Sequence, residues 1–369
     1  MSHGTLGCRV GVIGSHGAVG QVLAQVLRDA GCEVVCGNRT KRSPDEDSVF
    51  VDARQEDSVR EFARGCDVVV NCAGPSYVIR DGVAKALPPS LIYIDPFGGN
   101  AFGEGAGECP SIINVGCTPG LSGLLAKWLA AEFEECSSVT VCCGGREQGG
   151  VSGFADVILS TRDGYGYPNQ MLVGGLARPY TEQDWEAQDT DSFPEDGESL
   201  RTPFVTDELR RVASECGIPQ LTGLLVIPDR DSLHLLLKAM THSEAADPNE
   251  LMGLFAQIDS AKSKLDAGKE LWFTLQVSAR GRRGSVLQRS GITLHAGNSS
   301  ELTGIVLAQA VLRALEHGCP PGVHWGYEFL ELEPVLDALS KAGVQVNRLG
   351  PVAVGNSCAE PESVESGFI

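Results

Sequence analysis

The chain has 369 residues, 42% hydrophobic and 21% charged, a balance ordinary for a globular protein with room for two domains. A formal net charge of -19 argues against nucleic acid or an anionic membrane surface as a partner, and no apolar run reaches membrane-spanning length. No signal peptide is visible, and the thirteen scattered cysteines contain no C-x-x-C pair. They read as reduced thiols of a cytoplasmic protein, serving as small apolar residues rather than as ligands of zinc or another metal.

Residues 9–14 form an apolar strand ending in glycine, and a helical run to Ala30 follows at once. Glycines at 14, 17 and 20 suit three needs of a dinucleotide-binding turn: a sharp change of direction, close approach of backbone N–H groups to a pyrophosphate, and close packing of helix on strand. The new helix points its free N–H groups and positive dipole end at that pyrophosphate. Gly14, Ser15, His16, Gly17, Ala18 and Val19 are therefore candidate cofactor contacts.

The next strand, residues 33–37, ends in Asn38-Arg39-Thr40-Lys41-Arg42, with no acid before Asp45. An NAD site usually places an acid here for the ribose 2′-hydroxyl, whereas a guanidinium pairs with a 2′-phosphate. Asn38, Arg39 and Thr40 thus predict NADP(H). Residues 49–53 read as a third strand and 56–64 as its crossover helix. Asp52 either touches the adenine or serves as a turn aspartate.

Residues 67–75 are a continuous apolar strand ending in the small-residue turn Asn71, Cys72, Ala73, Gly74 and Pro75. The strand at 91–95 ends at Asp95, on the expected nicotinamide side or in a turn role, and a sixth strand occupies 111–115. Strands alternating with helices, each closed by a Gly/Asn/Asp/Pro turn, predict a Rossmann-type doubly wound parallel sheet with its ligand across the carboxyl ends. Thr118 reads as an N-cap and Pro119 as the first residue of the helix through Leu129.

From about 120 to 300 the pattern changes. A strand at 138–143, an acidic surface excursion at 181–200, a helix at 248–267 and a hairpin of 271–279 with 285–295 around residues 281–284 predict an α+β domain with a mixed or antiparallel sheet. Asn298-Ser299-Ser300-Glu301 caps a long apolar helix, 302–315, that packs back on the first domain. The expected organisation is a dinucleotide-binding domain at 1–120 completed by 301–345, a substrate and dimerisation domain at 121–300, and a peripheral tail at 346–369.

The glycine turn, Asn71-Cys72-Ala73-Gly74-Pro75, Tyr93-Ile94-Asp95 and Gly116-Cys117-Thr118-Pro119-Gly120-Leu121-Ser122-Gly123 together resemble the saccharopine dehydrogenase-like reductases. The resemblance covers residues 8–130, and from 131 to 316 it rests on the order of elements. It implies NAD(P) beside a mixed-sheet substrate domain that often forms a homodimer. Arg146, Arg162 and Arg178 are not clustered in sequence, which weakens a dicarboxylate or tricarboxylate substrate. The compact second domain also resembles the thiazolinyl imine reductases of siderophore assembly. That likeness implies reduction of a ring C=N bond while the intermediate rides on the carrier domain of a peptide synthetase. A saccharopine- or opine-type C–N dehydrogenase, an enoyl C=C reductase and a non-catalytic NADP-binding sensor are the alternatives.

Imine reduction needs a proton donor within hydrogen-bond reach of nitrogen. Tyr165 and Tyr167, on a Gly/Pro loop, read as ligand wall and donor or as packed surface tyrosines. His234 beside an apolar run is the third candidate. Cys117 and Thr118, at a helix N-terminus, are candidate contacts to substrate or nicotinamide, and a catalytic thiol is conceivable there.

Overall fold

Alternate residues of a short strand face opposite ways, so a segment apolar throughout must be covered on both faces. That requirement builds the first sheet from β1 (Arg9–Ile13), β2 (Glu33–Asn38), β3 (Val49–Phe50), β4 (Val68–Asn71), β5 (Ile92–Ile94) and β6 (Ser111–Ile113). The coordinates are a computed structural model describing residues 7–40, 47–99, 102, 108–148, 150–161, 166–186, 199–245 and 248–354. All neighbours pair in parallel, in the order β3-β2-β1-β4-β5-β6, and a strand from late in the chain, Val323–Trp325, adds itself beside β6. Val68 and Val70 pack with Leu23 and Leu27 of the helix Ala18–Asp29, while Val69 packs on the other side with Phe62 and Val83. The doubly wound sheet read from the sequence is present. β3 is only two residues long, and Val51, Asp52 and Ala53 continue it as buried loop.

The chain crosses to the second domain through the helix Leu121–Ala131, whose Leu121, Leu125 and Leu129 are fully buried at a spacing of four. Each such side chain gains about 1.5–3 kcal/mol on leaving water. Together they outweigh the roughly 1 kcal/mol that Gly123 costs inside a helix. Gly123 is required because a Cβ there would lie 2.6 Å from Cδ of Glu208. The helix does not start where the sequence places it. Gly120, at φ 127°, is the N-cap; Thr118 and Pro119 belong to a preceding turn in which the Leu121 N–H donates to the Gly116 carbonyl at 2.9 Å.

The second sheet is mixed. It contains β7 (Glu135–Arg146), β8 (Gly166–Pro168), β9 (Gln170–Val173), β10 (Leu176–Pro179), β11 (Leu200–Thr206), β12 (Gln220–Ile227), β13 (Trp272–Arg283) and β14 (Val286–Ala296). Val323–Trp325 is then β15, and β16 (Gln345–Ala353) closes the edge. The order is β10-β9-β12-β7-β13-β14-β16, with β11 bridging β12 and β8; only β12 and β7 run parallel. The expected hairpin is β13–β14, but pairing continues to Arg283 and Val286, so the turn is Gly284-Ser285, with Gly284 at φ 60°. The segment read as a peripheral tail begins as an edge strand, with residues 345–353 forming a ladder with β14. Residues 355–369, and residues 187–198 of the acidic stretch, lie outside the described residues.

Asn298 caps the helix Ser299–His317, its side chain accepting from the Glu301 N–H at 2.9 Å. This helix returns to the first domain and packs on Ala18–Asp29, where Gly304 faces Val22 so closely that a Cβ would lie 2.6 Å from the valine Cβ. Gly304→Val should therefore overpack the contact and cost about 1–3 kcal/mol in urea denaturation. An unchanged midpoint would show that the two helices are not in tight contact.

Candidate functional site

Two close backbone approaches shape the turn after β1. Gly14 adopts φ 79°, and a Cβ there would sit 2.6 Å from the Ala73 nitrogen. A Cβ on Gly20 would sit 2.5 Å from the Gly14 carbonyl oxygen, which fixes the helix against the strand end. Gly17 differs: its φ of -65° suits any residue, it is exposed, and it borders a cavity. The first helical turn carries no acid and receives no side-chain cap, so nothing there competes with an anionic ligand.

Asn38 ties the end of β2 to this turn. Its Nδ2 donates to Ser15 Oγ at 2.7 Å, and its Oδ1 accepts from the His16 N–H at 2.9 Å. Arg39 and Thr40 follow, exposed, with no acid among them, while Lys41, Arg42 and Asp45 lie outside the described residues. Asp52 fills the turn role. Its carboxylate takes two hydrogen bonds from the Arg54 guanidinium, at 3.0 and 2.8 Å, which lower its pKa to about 2.

At the ends of β4 and β5 lies a buried network. Asn71 Nδ2 and the Tyr93 hydroxyl both donate to Asp95 Oδ2, and the Phe97 N–H donates to Asp95 Oδ1 at 2.8 Å. Asn71 Oδ1 accepts from the Ala73 N–H at 3.1 Å. Burial raises the Asp95 carboxyl to about 7. Asp95 does not line the cavity; it holds the Pro96–Phe97 turn, which does. Of its two readings, this geometry matches the turn role.

The cavity measures about 510 Å³ and joins the two domains. One side is made by Gly17, Ala18, Val19, the turn at 72–74, Asn114 and the turn at 116–119. The other is made by β7, β12 and β13 with the helices Gly150–Leu159, Arg230–Ala245 and Pro248–Leu265. Cys72, Ala73 and Gly74 line it, whereas Pro75 is buried outside it.

Cys117 and Thr118 also reach the cavity. Burial pushes the Cys117 thiol well above its usual value, and Cys72 and Cys143 likewise, so none is the activated thiolate a helix N-terminus would create. Asp156, on Gly150–Leu159, crosses to the first domain, accepting from the Ser76 N–H at 2.8 Å and from its hydroxyl at 3.2 Å. Glu208 is fully buried in the wall and accepts from Ser122 Oγ at 2.8 Å; burial raises it to about 7. Lys262 lines the cavity but is bound to Asp266 and to the Glu147 carbonyl. Arg146 pairs with Asp229 at 2.9 Å and Arg178 with Asp184 at 2.7 Å.

The three expected proton donors are not brought together here. Tyr165, with Arg162, lies outside the described residues. Tyr167 is in β8, paired with Val205, and does not line the cavity. His234 is exposed because its helix turns Leu235 and Leu236 toward the cavity instead. The acids that do line it, Glu147, Asp156, Asp207, Glu208 and Asp259, were missed. A lone acid in the apolar run Val-Ser-Gly-Phe-Ala-Asp-Val-Ile-Leu was the available signal for Asp156.

The NAD dependent epimerase/dehydratase family is matched over residues 10–86, the glycine turn and the strands around it. A saccharopine dehydrogenase (L-Glu forming) from Saccharomyces cerevisiae, solved without ligand, is similar over 94% of this chain and 100% of its own, with 15% identity and a TM-score of 0.63. The fold is that of saccharopine dehydrogenase. A C. glutamicum DAP dehydrogenase in complex with DAP aligns over 90% of this chain and 98% of its own, with 14% identity and a TM-score of 0.48. No curated protein matches the chain.

Two glycine variants separate ligand contact from backbone packing. Gly17→Val should keep the fold while abolishing detectable NADPH and NADH binding in calorimetry, because the branched side chain occupies the approach to the helix N-terminus. Gly20→Val should lower the melting temperature, because its methyl groups meet the Gly14 backbone. Unchanged cofactor affinity in Gly17→Val would make the turn purely structural.

Proposed function

We propose that the chain is an NADP(H)-dependent reductase of a carbon–nitrogen double bond. The observation that carries this reading is a single cavity bounded by both the glycine turn and the second sheet. A substrate can thus meet the cofactor across the carboxyl ends of the parallel strands, where doubly wound folds hold their ligands.

The residues fit the cofactor. Gly14 and Gly20 set a turn that only glycine permits, the helix after it opens without an acid, and Arg39 stands exposed where an NAD site has a carboxylate. Ser15, Gly17, Ala18 and Val19 would hold the pyrophosphate, and Arg39 with Thr40 the 2′-phosphate. The turns at 72–74 and 116–118 would border the nicotinamide. Bound NADPH supplies a hydride. The chain itself supplies position and dryness: Phe154, Val157, Phe204, Leu235, Leu236 and Phe273 make a mostly apolar wall that excludes water from the reacting bond.

Lys262 is the one cationic side chain among the described lining residues, and its charge is matched by Asp266. This favours a substrate of low negative charge over a polycarboxylate. The rim includes the exposed residues Gly17 and Gly153, which leaves a path for a substrate on a flexible arm. The finer proposal is a thiazolinyl imine carried by a peptide synthetase carrier domain.

Arg39→Ala should weaken NADPH binding by about 1.5–3 kcal/mol and leave NADH binding nearly unchanged, as titration calorimetry reads it. Equal affinity of the wild type for both cofactors would contradict the 2′-phosphate assignment. For the reaction, a carrier domain loaded with a thiazoline-containing intermediate should gain two hydrogens in the presence of enzyme and NADPH. Turnover of saccharopine or of an enoyl lipid instead would overturn the imine reading.

A further inference from the structure

The helix Gly150–Leu159 is apolar apart from its serine and one acid, and it buries Ala155 and Ile158 against Ala239, Phe255 and Ile258 of the two neighbouring helices. Asp156 follows Ala155 in sequence and lines the cavity from a different face of the helix. Its two oxygens take the N–H and the hydroxyl of Ser76. A Cβ on Gly74 would lie 3.5 Å from Asp156 Oδ2, so the carboxyl stands over the turn at the end of β4. Resting on the reductase reading above, we propose that Asp156 is the acid that protonates the substrate nitrogen.

Four other carboxyls at or behind the cavity, Asp207, Glu147, Glu208 and Asp95, are held by partners, while Asp259 lines the cavity from Pro248–Leu265. Asp207 is held by Arg210 through two hydrogen bonds, at 2.9 and 2.8 Å, and Glu147 accepts from the Ser299 N–H at 2.7 Å. Glu208 is sealed in the wall against Ser122, and Asp95 lies behind the cavity. Tyr77 lines the same end, with its ring packed edge-on against Phe97 at 4.6 Å. From the first domain the Tyr77 N–H donates to Asp156 and the Asp95 charge acts on it from behind the cavity; Asp259 and Lys262 line the cavity from Pro248–Leu265. Arg230–Ala245 contributes Ser232, Leu235 and Leu236 to the described lining. Burial raises Asp156 to about 7, with the hydrogen bonds from Ser76 and the Tyr77 N–H acting the other way. A protonated carboxyl is therefore present at neutral pH and is lost as pH rises through that value.

In the balanced step, the imine carbon receives the hydride that NADPH provides, and the π pair of the C=N bond takes the proton of Asp156 to form N–H. NADPH is oxidised to NADP+, the imine is reduced to the amine, and the Asp156 carboxylate recovers its proton from solvent.

The test compares D156N, S76A and Y77F with the wild type, using NADPH and 2-phenyl-thiazoline as probe. D156N should lower kcat by about 100- to 10,000-fold with NADPH affinity unchanged. S76A keeps the acid and should lose less than about tenfold. Equal losses in S76A and D156N would make Asp156 a link between domains and overturn the proposal, as would full activity in D156N or loss in Y77F alone. Infrared titration of the NADP+ complex decides independently of turnover. A protonated-carboxyl band present in wild type, absent in D156N and titrating near neutrality supports the assignment; an Asp156 ionised throughout about pH 5–8 overturns it. A wild type that leaves the probe unreduced counts against the reductase reading, while the infrared result still judges Asp156.

Discussion

The structure depends on one backbone crossing, where Gly14 passes the chain from β1 into its helix. Its N–H donates to the Gly37 carbonyl of β2, and the N–H of Cys72, just past β4, donates to the Ile13 carbonyl beside it. The helix is then pressed so close that the Gly14 carbonyl would touch any side chain at position 20. Three strand ends and one helix start thus meet within a few ångströms, with no room for a Cβ at two positions. This crowding leaves the exposed face of the turn, at Gly17 and Ala18, free of protein atoms and directed at the cavity. The turn at 72–74 is held in the same crossing, so the two sides of the first domain's contribution to the site are one rigid unit.

The second domain completes the cavity without a comparable local signature. Its central strands, β7 and β12, are parallel neighbours separated by more than seventy residues of sequence, and the helices that wall the cavity insert on either side of β12. The wall is joined to the first domain where Asp156 accepts from the N–H and the hydroxyl of Ser76. Desolvation raises the Asp156 carboxyl at this joint to about 7, and that of Glu208 in the wall to about 7. Burial disfavours the charged form of both carboxyls, which brings their titration toward neutral pH.

What the sequence reveals follows from this contrast. Parallel strands buried on both faces announce themselves as runs such as Val68-Val69-Val70, and glycines that must avoid a clash recur at fixed spacing, so the first sheet and its turn are legible. β15 and β16 are not, because each pairs with a strand far away in sequence and neither carries a strong apolar alternation. Thr118-Pro119 looked like a helix start because Ser, Thr and Pro favour that position. Closure of the 116–120 turn on its own carbonyls moved the start to Gly120. Tyr167 and His234 carried plausible chemistry, but nothing in their local pattern fixed which way they point. Asp156 carried the better signal, an acid alone in an apolar helix.

The most direct test is the structure of the chain with NADP+ bound. The account predicts a pyrophosphate on the N–H groups following Gly17, a 2′-phosphate beside Arg39, and the nicotinamide ring inside the cavity between the turns at 72–74 and 116–118. A nicotinamide ring lying outside that cavity, or a 2′-phosphate remote from Arg39, would contradict it.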